Sequence, residues 1–267
     1  MNSDHATGPR SDTSNSSTTS APPDAHAPDA PAPEAAEPAV ASVPVPLPFW
    51  AQLYGSVAFA LSALLSPYLV IPVGTVLIVA SQSAKPSGYG PPREFLLWTG
   101  ISILFSTVIP AIYVVIQILR GKITDVHVME REQRGGPFLV AVVSAALGAL
   151  LLRSIGAPAV VWGIGIVLLV NGVILSWITT FWKISMHVSV LSATVLALLI
   201  LVPGLNSWTL IAMIPALMWA RATRGRHSIW QGLAGCAVAC AVTGGVFYFV
   251  RLWPLVEGAV SRLTRAG

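Results

Sequence analysis

Residues 158–181 read PAVVWGIGIVLLVNGVILSWITTF, a run with no ionisable side chain. As a helix, about 20 such residues cross the hydrocarbon core of a bilayer. Comparable apolar runs recur from about residue 51 to residue 252. The chain is 54% hydrophobic and 10% charged, where a soluble domain carries about a quarter charged residues. The period-2 alternation of a transmembrane barrel is absent. The expected fold class is therefore all-α: a polytopic helical membrane protein with six to seven transmembrane helices in a bundle.

Working outward, the first span is read at 51–80, with Pro67 and Pro72 kinking it or breaking it into a re-entrant segment. The second is read at 95–119, and two more at 138–154 and 158–181, separated by the turn RSIGAP. A fifth at 188–202 turns at VPGLNS into a sixth at 207–219, and a last runs over 229–251. Residues 1–47 differ in kind, being rich in Pro, Ala, Ser and Thr with no aromatic residue. Such a segment buries too little apolar surface to offset its ordering entropy, so it is read as a disordered tail. The expected organisation is tail 1–47, first span and loop 48–94, functional core 95–252 and a short C-terminal tail 253–267.

Three polar segments interrupt the core: RGKITDVHVMEREQRGGP (120–137), WKISMHVS (182–189) and WARATRGRHSIWQG (219–232). Two crossings separate each from the next, so all three fall on one side of the membrane. Which side stays open. Lys and Arg number nine on the motif side and six on the other if the first span crosses once. That bias points to the cytoplasm, but it vanishes when the arginines with candidate functions are set aside.

Acidic residues are scarce where they would matter. Six of the eleven lie in the tail, and none occurs from Gln133 to Val256. Only Asp125, Glu130 and Glu132 could ligate a divalent cation on the motif side, so no metal or other cofactor is expected. Cys236 and Cys240, one turn apart in an apolar run, read as small packing residues. His5 and His26 belong to the tail, and His127 reads as a solvated interfacial residue. Trp50, Trp98, Trp182, Trp219, Trp230 and Trp253 fall near span ends, where an aromatic belt accounts for them.

The basic groups remain. Arg221, Arg224 and Arg226 could simply form a loop attracted to anionic lipid. However, His227 and Gln231 are one turn apart at the start of an apolar run, and His187 opens another after Lys183 and Ser185. Arg131 and Arg134 lie on the same side. Two imidazoles, several cations and a hydroxyl at one face suit a phosphoryl group. Guanidinium groups bind its oxygens, one imidazole can attack phosphorus, and another can protonate the departing oxygen.

These residues resemble the type 2 phosphatidic acid phosphatases, integral membrane lipid phosphatases with three signatures. The third is Ser-Arg, five residues, His, three residues, Asp. Here Arg221, five residues, His227, three residues and Gln231 keep the spacing, with Ala220 replacing the serine. The second, Pro-Ser-Gly-His, is similar to Ile184-Ser185-Met186-His187. The first, Lys, six residues, Arg-Pro, is echoed only loosely in EREQRGGP. The resemblance covers roughly residues 95–250.

The resemblance implies His227 as nucleophile forming a phosphohistidine, His187 as general acid, Arg221 on the phosphoryl oxygens and Ser185 as a hydrogen-bonding partner. Arg134, with Arg131 or Lys183, would stand in for the first signature's basic residues. It also implies no metal and a lipid or isoprenoid phosphate as substrate, with membrane lipids rather than nucleic acid as partners. The location expected is a bacterial plasma membrane, spanned several times.

Two departures stand out. Gln231 replaces the Asp that orients the nucleophile, bringing an acceptor without charge. In serine proteases an Asp-to-Asn change at the analogous post costs about 10⁴ in rate. Asp125 or Glu132 could supply the missing carboxylate. Met186 adds bulk where glycine would admit a phosphate. Besides hydrolysis, the same cluster could bind or transport anionic lipid without turnover, or transfer a phosphoryl group between lipids. Arg224 and Arg226 would then help to draw in anionic headgroups.

Overall fold

Prolines and glycines cut the apolar sequence into nine α-helices and one π-helical turn among the described residues, and no strand occurs among them. The computed structural model describes residues 48–83, 92–124, 133 and 135–266, with side chains as far as 254. The tail, Asp125, His127, Glu130, Arg131, Glu132 and Arg134 lie outside the described residues.

The first apolar run forms two helices, α1 (Phe49–Leu64) and α2 (Pro67–Ser83), whose axes bend by 48° at the break. Pro67 opens α2 at a position where its missing N–H costs nothing. The Ser66 carbonyl accepts the N–H groups of Leu69 and Val70 at 3.0 and 2.9 Å. Pro72 is carried inside α2, so of the two expected kinks only the one at Pro67 breaks the chain.

The second run is continuous over Arg93–Leu119 but changes its winding midway. α3 (Pro92–Ile103) passes through a π turn (Leu104–Val108) into α4 (Ile109–Leu119). Pro110 has no N–H to give the Ser106 carbonyl four residues earlier, a direct local cause of the irregular winding. The exposed backbone is met by α5 (Gly135–Ser154), where Ser144 Oγ donates to the Phe105 carbonyl at 2.5 Å. Gly148, one turn on, lets the helices close: a Cβ there would lie 2.6 Å from Phe105 Cβ.

α5 and α6 (Ala159–Thr179) form an antiparallel pair through small residues. A Cβ on Gly165 would stand 2.9 Å from Ala149 Cβ and 3.2 Å from the Ala145 carbonyl oxygen. Close backbone approach of this kind drives helix association where burial from water does not. On its other side α5 exposes Leu139, Val143, Leu147 and Leu150, a lipid-facing stripe.

α7 (Met186–Leu201) is the interior helix, with α8 (Ser207–Thr223) and α9 (Ile229–Ala266) against it. Its Val188, Leu191 and Val195 pack with Leu217 and Met218 of α8 and Val70 of α2. Ala193, Ala197 and Leu198 join Val79, Ala239 and Phe247 in a second core.

Among the described residues, four helical stretches are long and apolar enough to cross a membrane: Arg93–Leu119, Gly135–Ser154, Ala159–Thr179 and Ile229–Pro254. The bent pair α1–α2 raises the number to five if it counts as one span. This is the helix set of an integral membrane protein. The expected six to seven spans are not reached by length and apolarity alone. α7 has 16 residues and α8 has 17, or about 24–26 Å against a core of about 30 Å. α9 also continues to Ala266, so the segment read as a short C-terminal tail has a helical backbone.

Candidate functional site

The five residues between Arg221 and His227 are a complete helix stop. α8 ends at Thr223, and Gly225 takes a left-handed φ of 62°, a conformation costly for residues with a Cβ. The N–H of Arg226 then bonds the Arg221 carbonyl at 3.0 Å, and that of Gly225 bonds the Ala222 carbonyl at 2.9 Å. This pair of bonds is the Schellman closure. The His227 N–H also reaches the Arg221 carbonyl, at 3.4 Å. The turn thus returns His227 to the level of Arg221 and fixes their separation.

The next three residues form a helix start. Ser228 and Gln231 make a reciprocal capping box: the Gln231 N–H donates to Ser228 Oγ at 3.2 Å, and the Ser228 N–H donates to Gln231 Oε1 at 3.1 Å. The same Oε1 lies 3.2 Å from His227 Nδ1. An amide oxygen only accepts, so this contact requires the proton on Nδ1. In the neutral ring the lone pair is then on Nε2.

Gln231 also ties in the second motif, because its carbonyl accepts the Ser185 N–H at 3.2 Å. Ser185 is the N-cap of α7, and its own carbonyl takes the Ser189 N–H at 3.0 Å. Gly235, one turn beyond Gln231, makes this approach possible: a Cβ there would lie 2.7 Å from the Ser185 carbonyl oxygen. His187, the second residue of α7, is held beside the start of α9.

His187, Arg221 and His227 line one cavity of about 220 Å³. Arg221 is only 4% exposed and His187 8%, while His227 is half-buried. The buried guanidinium and the two imidazoles give the cavity a basic part to its lining. The rest of the wall is largely apolar, with Ile71 from α2, Val114 from α4, Phe138 and Ala141 from α5, and Leu168 and Leu175 from α6. Phe138, Leu175 and Ile184 form a small core, joined by Ala234. This core draws together the start of α5, the α6–α7 connection and the start of α9.

Other candidates are placed differently. Lys183 is exposed and does not line the cavity. Ser185 is fully buried, its hydroxyl has no hydrogen-bond partner among the described residues, and it is not among the lining residues. Met186, which stands where the resembled signature carries glycine, does line it. Arg224 stacks over the Phe59 ring at 4.9 Å, and Arg226 is half-buried. Cys236 and Cys240 are half-buried rather than buried. Among the described residues no three His, Cys, Asp or Glu side chains gather as a metal site. Trp253 is more than a belt residue: Arg153 stacks over it at 4.6 Å and over Trp162 at 5.7 Å.

Sequence reading missed Tyr68, Ser106, Thr107 and Asn171, all of which line the cavity. Asn171 carried a signal, being the one amide in the run 158–181. Ser106 and Thr107 line the cavity from the π turn, which apolar periodicity does not reveal.

No family model matches the chain, and comparison with curated proteins and with solved structures finds no match either.

Proposed function

We propose that this protein is an integral membrane phosphatase of the type 2 phosphatidic acid phosphatase kind, a bundle of six to seven spans acting on a lipid or isoprenoid phosphate or diphosphate. The observation that carries the reading is that His187, Arg221 and His227 line a single cavity despite their distance in sequence.

In this reading the Arg221 guanidinium binds two phosphoryl oxygens and offsets their charge as the transition state forms. His227 attacks phosphorus through Nε2 while Gln231 holds the ring by its Nδ1–H. The N–P bond forms as the P–O bond to the lipid alcohol breaks, and His187 gives the leaving oxygen its proton. Water then cleaves the phosphohistidine, with His187 taking a proton from it, releasing phosphate and restoring both imidazoles. The apolar remainder of the cavity suits the lipid chain. Arg131 and Arg134 would complete the phosphate contacts, and both lie outside the described residues.

The neutral Gln231 favours one second reading, an anionic-lipid binding protein that does not turn over its ligand. Purified protein in detergent, given phosphatidic acid and a prenyl diphosphate with EDTA present, separates the two. Phosphate release that persists with chelator and disappears in His227→Ala and His187→Ala is the expected result. Lipid binding without release would replace the phosphatase reading with the second.

A further inference from the structure

We infer that Asn171 forms a second, polar subsite in the same cavity, which pairs with a hydroxyl or ester group in the lipid part of the ligand. The inference rests on the phosphate-binding reading of His187, Arg221 and His227, and it narrows the ligand to a lipid phosphate with oxygen within a few bonds of the phosphate.

An amide inside a membrane helix is costly unless it is paired. Asn171 is 6% exposed, lines the cavity, and its Oδ1 has no hydrogen-bond partner among the described residues. Its neighbours on the α6 wall, Leu168, Gly172 and Leu175, offer nothing polar. Two further polar residues line the same cavity from the π turn, Ser106 and Thr107, whose hydroxyl oxygens lie 3.4 Å apart.

Depth sets the chemistry. Leu175 packs with Ile184, three residues before His187. Asn171 lies four residues from Leu175 along α6, away from the α6–α7 connection, or about 6 Å of helix rise. A phosphate held by Arg221 and the histidines therefore sends the first few bonds of its alcohol past Asn171. A plain hydrocarbon there leaves the amide unpaired. A hydroxyl can donate to Oδ1, and an ester carbonyl can accept from Nδ2. Sites built for such a group reject analogues that lack it.

The test uses the full chain in nanodiscs and two non-hydrolysable phosphonates of equal chain length, one on a diacylglycerol backbone and one on a plain alkyl chain. Dissociation constants are measured for the unsubstituted protein and for Asn171→Leu. The expected result is about tenfold tighter binding of the glycerol-type phosphonate, the scale of one hydrogen bond. Asn171→Leu is expected to erase that preference by weakening the glycerol-type phosphonate while the alkyl phosphonate binds as tightly or tighter, which also reports that the variant is folded. Where the leucine variant is not recovered, Asn171→Ala reads the same difference. Equal affinities in the unsubstituted protein, or equal losses for both ligands in the variant, overturn the subsite alone. Failure of both phosphonates to bind the unsubstituted protein overturns the phosphate reading, and the subsite with it.

Discussion

Gln231 accepts the Nδ1–H of His227 at 3.2 Å with the same oxygen that caps α9 through the Ser228 N–H. One side chain therefore starts a helix and selects a tautomer. This explains the length of the side chain at this post in terms of the fold. The N3 position of a capping box favours Glu or Gln, whose length reaches back to the N-cap, over the shorter Asp.

Gln231→Glu keeps the length of the box and adds a negative charge beside His227. Its expected outcome is unchanged thermal stability and, on the proposed phosphatase function that the rates below also assume, a several-fold higher rate of phosphate release. Gln231→Ala removes the box, costing about 1 kcal/mol, and lowers the rate by about 10² or more as the ring loses its orienting acceptor. Unfolding in detergent and initial-rate assays on the two variants check both.

Gly225→Ala forces a residue with a Cβ into a φ of 62°. The expected cost is about 1–2 kcal/mol, together with reduced turnover because the turn positions His227. Gly225→Asn, which tolerates this region better, should recover part of both. Thermal midpoints and kcat of the pair measure the effect.

Gly235→Ala places a methyl group 2.7 Å from the Ser185 carbonyl oxygen, a contact that no rotamer change relieves. α9 must move away from α7, at about 1–3 kcal/mol. Since His187 and His227 sit on opposite sides of this contact, turnover should fall further than stability alone explains. Assays below the unfolding transition separate the two.

Arg153→Ala serves as the contrasting case. Its stacking on Trp162 and Trp253 joins the last turn of α5 to α6 and α9, while the cavity lies toward the opposite end of α5. Stability should drop by about 1 kcal/mol with phosphate release per folded molecule unchanged.

Much of this arrangement was legible in the sequence because membrane helices announce themselves by apolar length. The runs at 135–154 and 159–179 appear where their composition places them, and Pro67 breaks the chain as its ring requires. The spacing of Arg221, His227 and Gln231 was readable for a local reason: it is one helix stop followed by one helix start. The Ser-x-x-Gln box is visible at 228–231, but the sequence reading paired Gln231 with His227 and passed over Ser228. Asn171 and the π turn were not legible as site elements, because their roles depend on which helix faces them across the bundle. Trp253 looked like an interfacial residue until the fold set Arg153 beside it. The number of spans is less legible, because the short buried α7 owes its apolar character to protein neighbours as much as to lipid, and length and apolarity alone give four to five among the described residues.

The closure around Gly225 also makes the interval between Arg221 and His227 a ruler with no adjustable marks. Ordinary surface loops absorb an inserted or deleted residue, but here a single added residue would break both turn bonds and rotate the imidazole away from the guanidinium. Chain length in these six steps is therefore as tightly specified as the identity of either end.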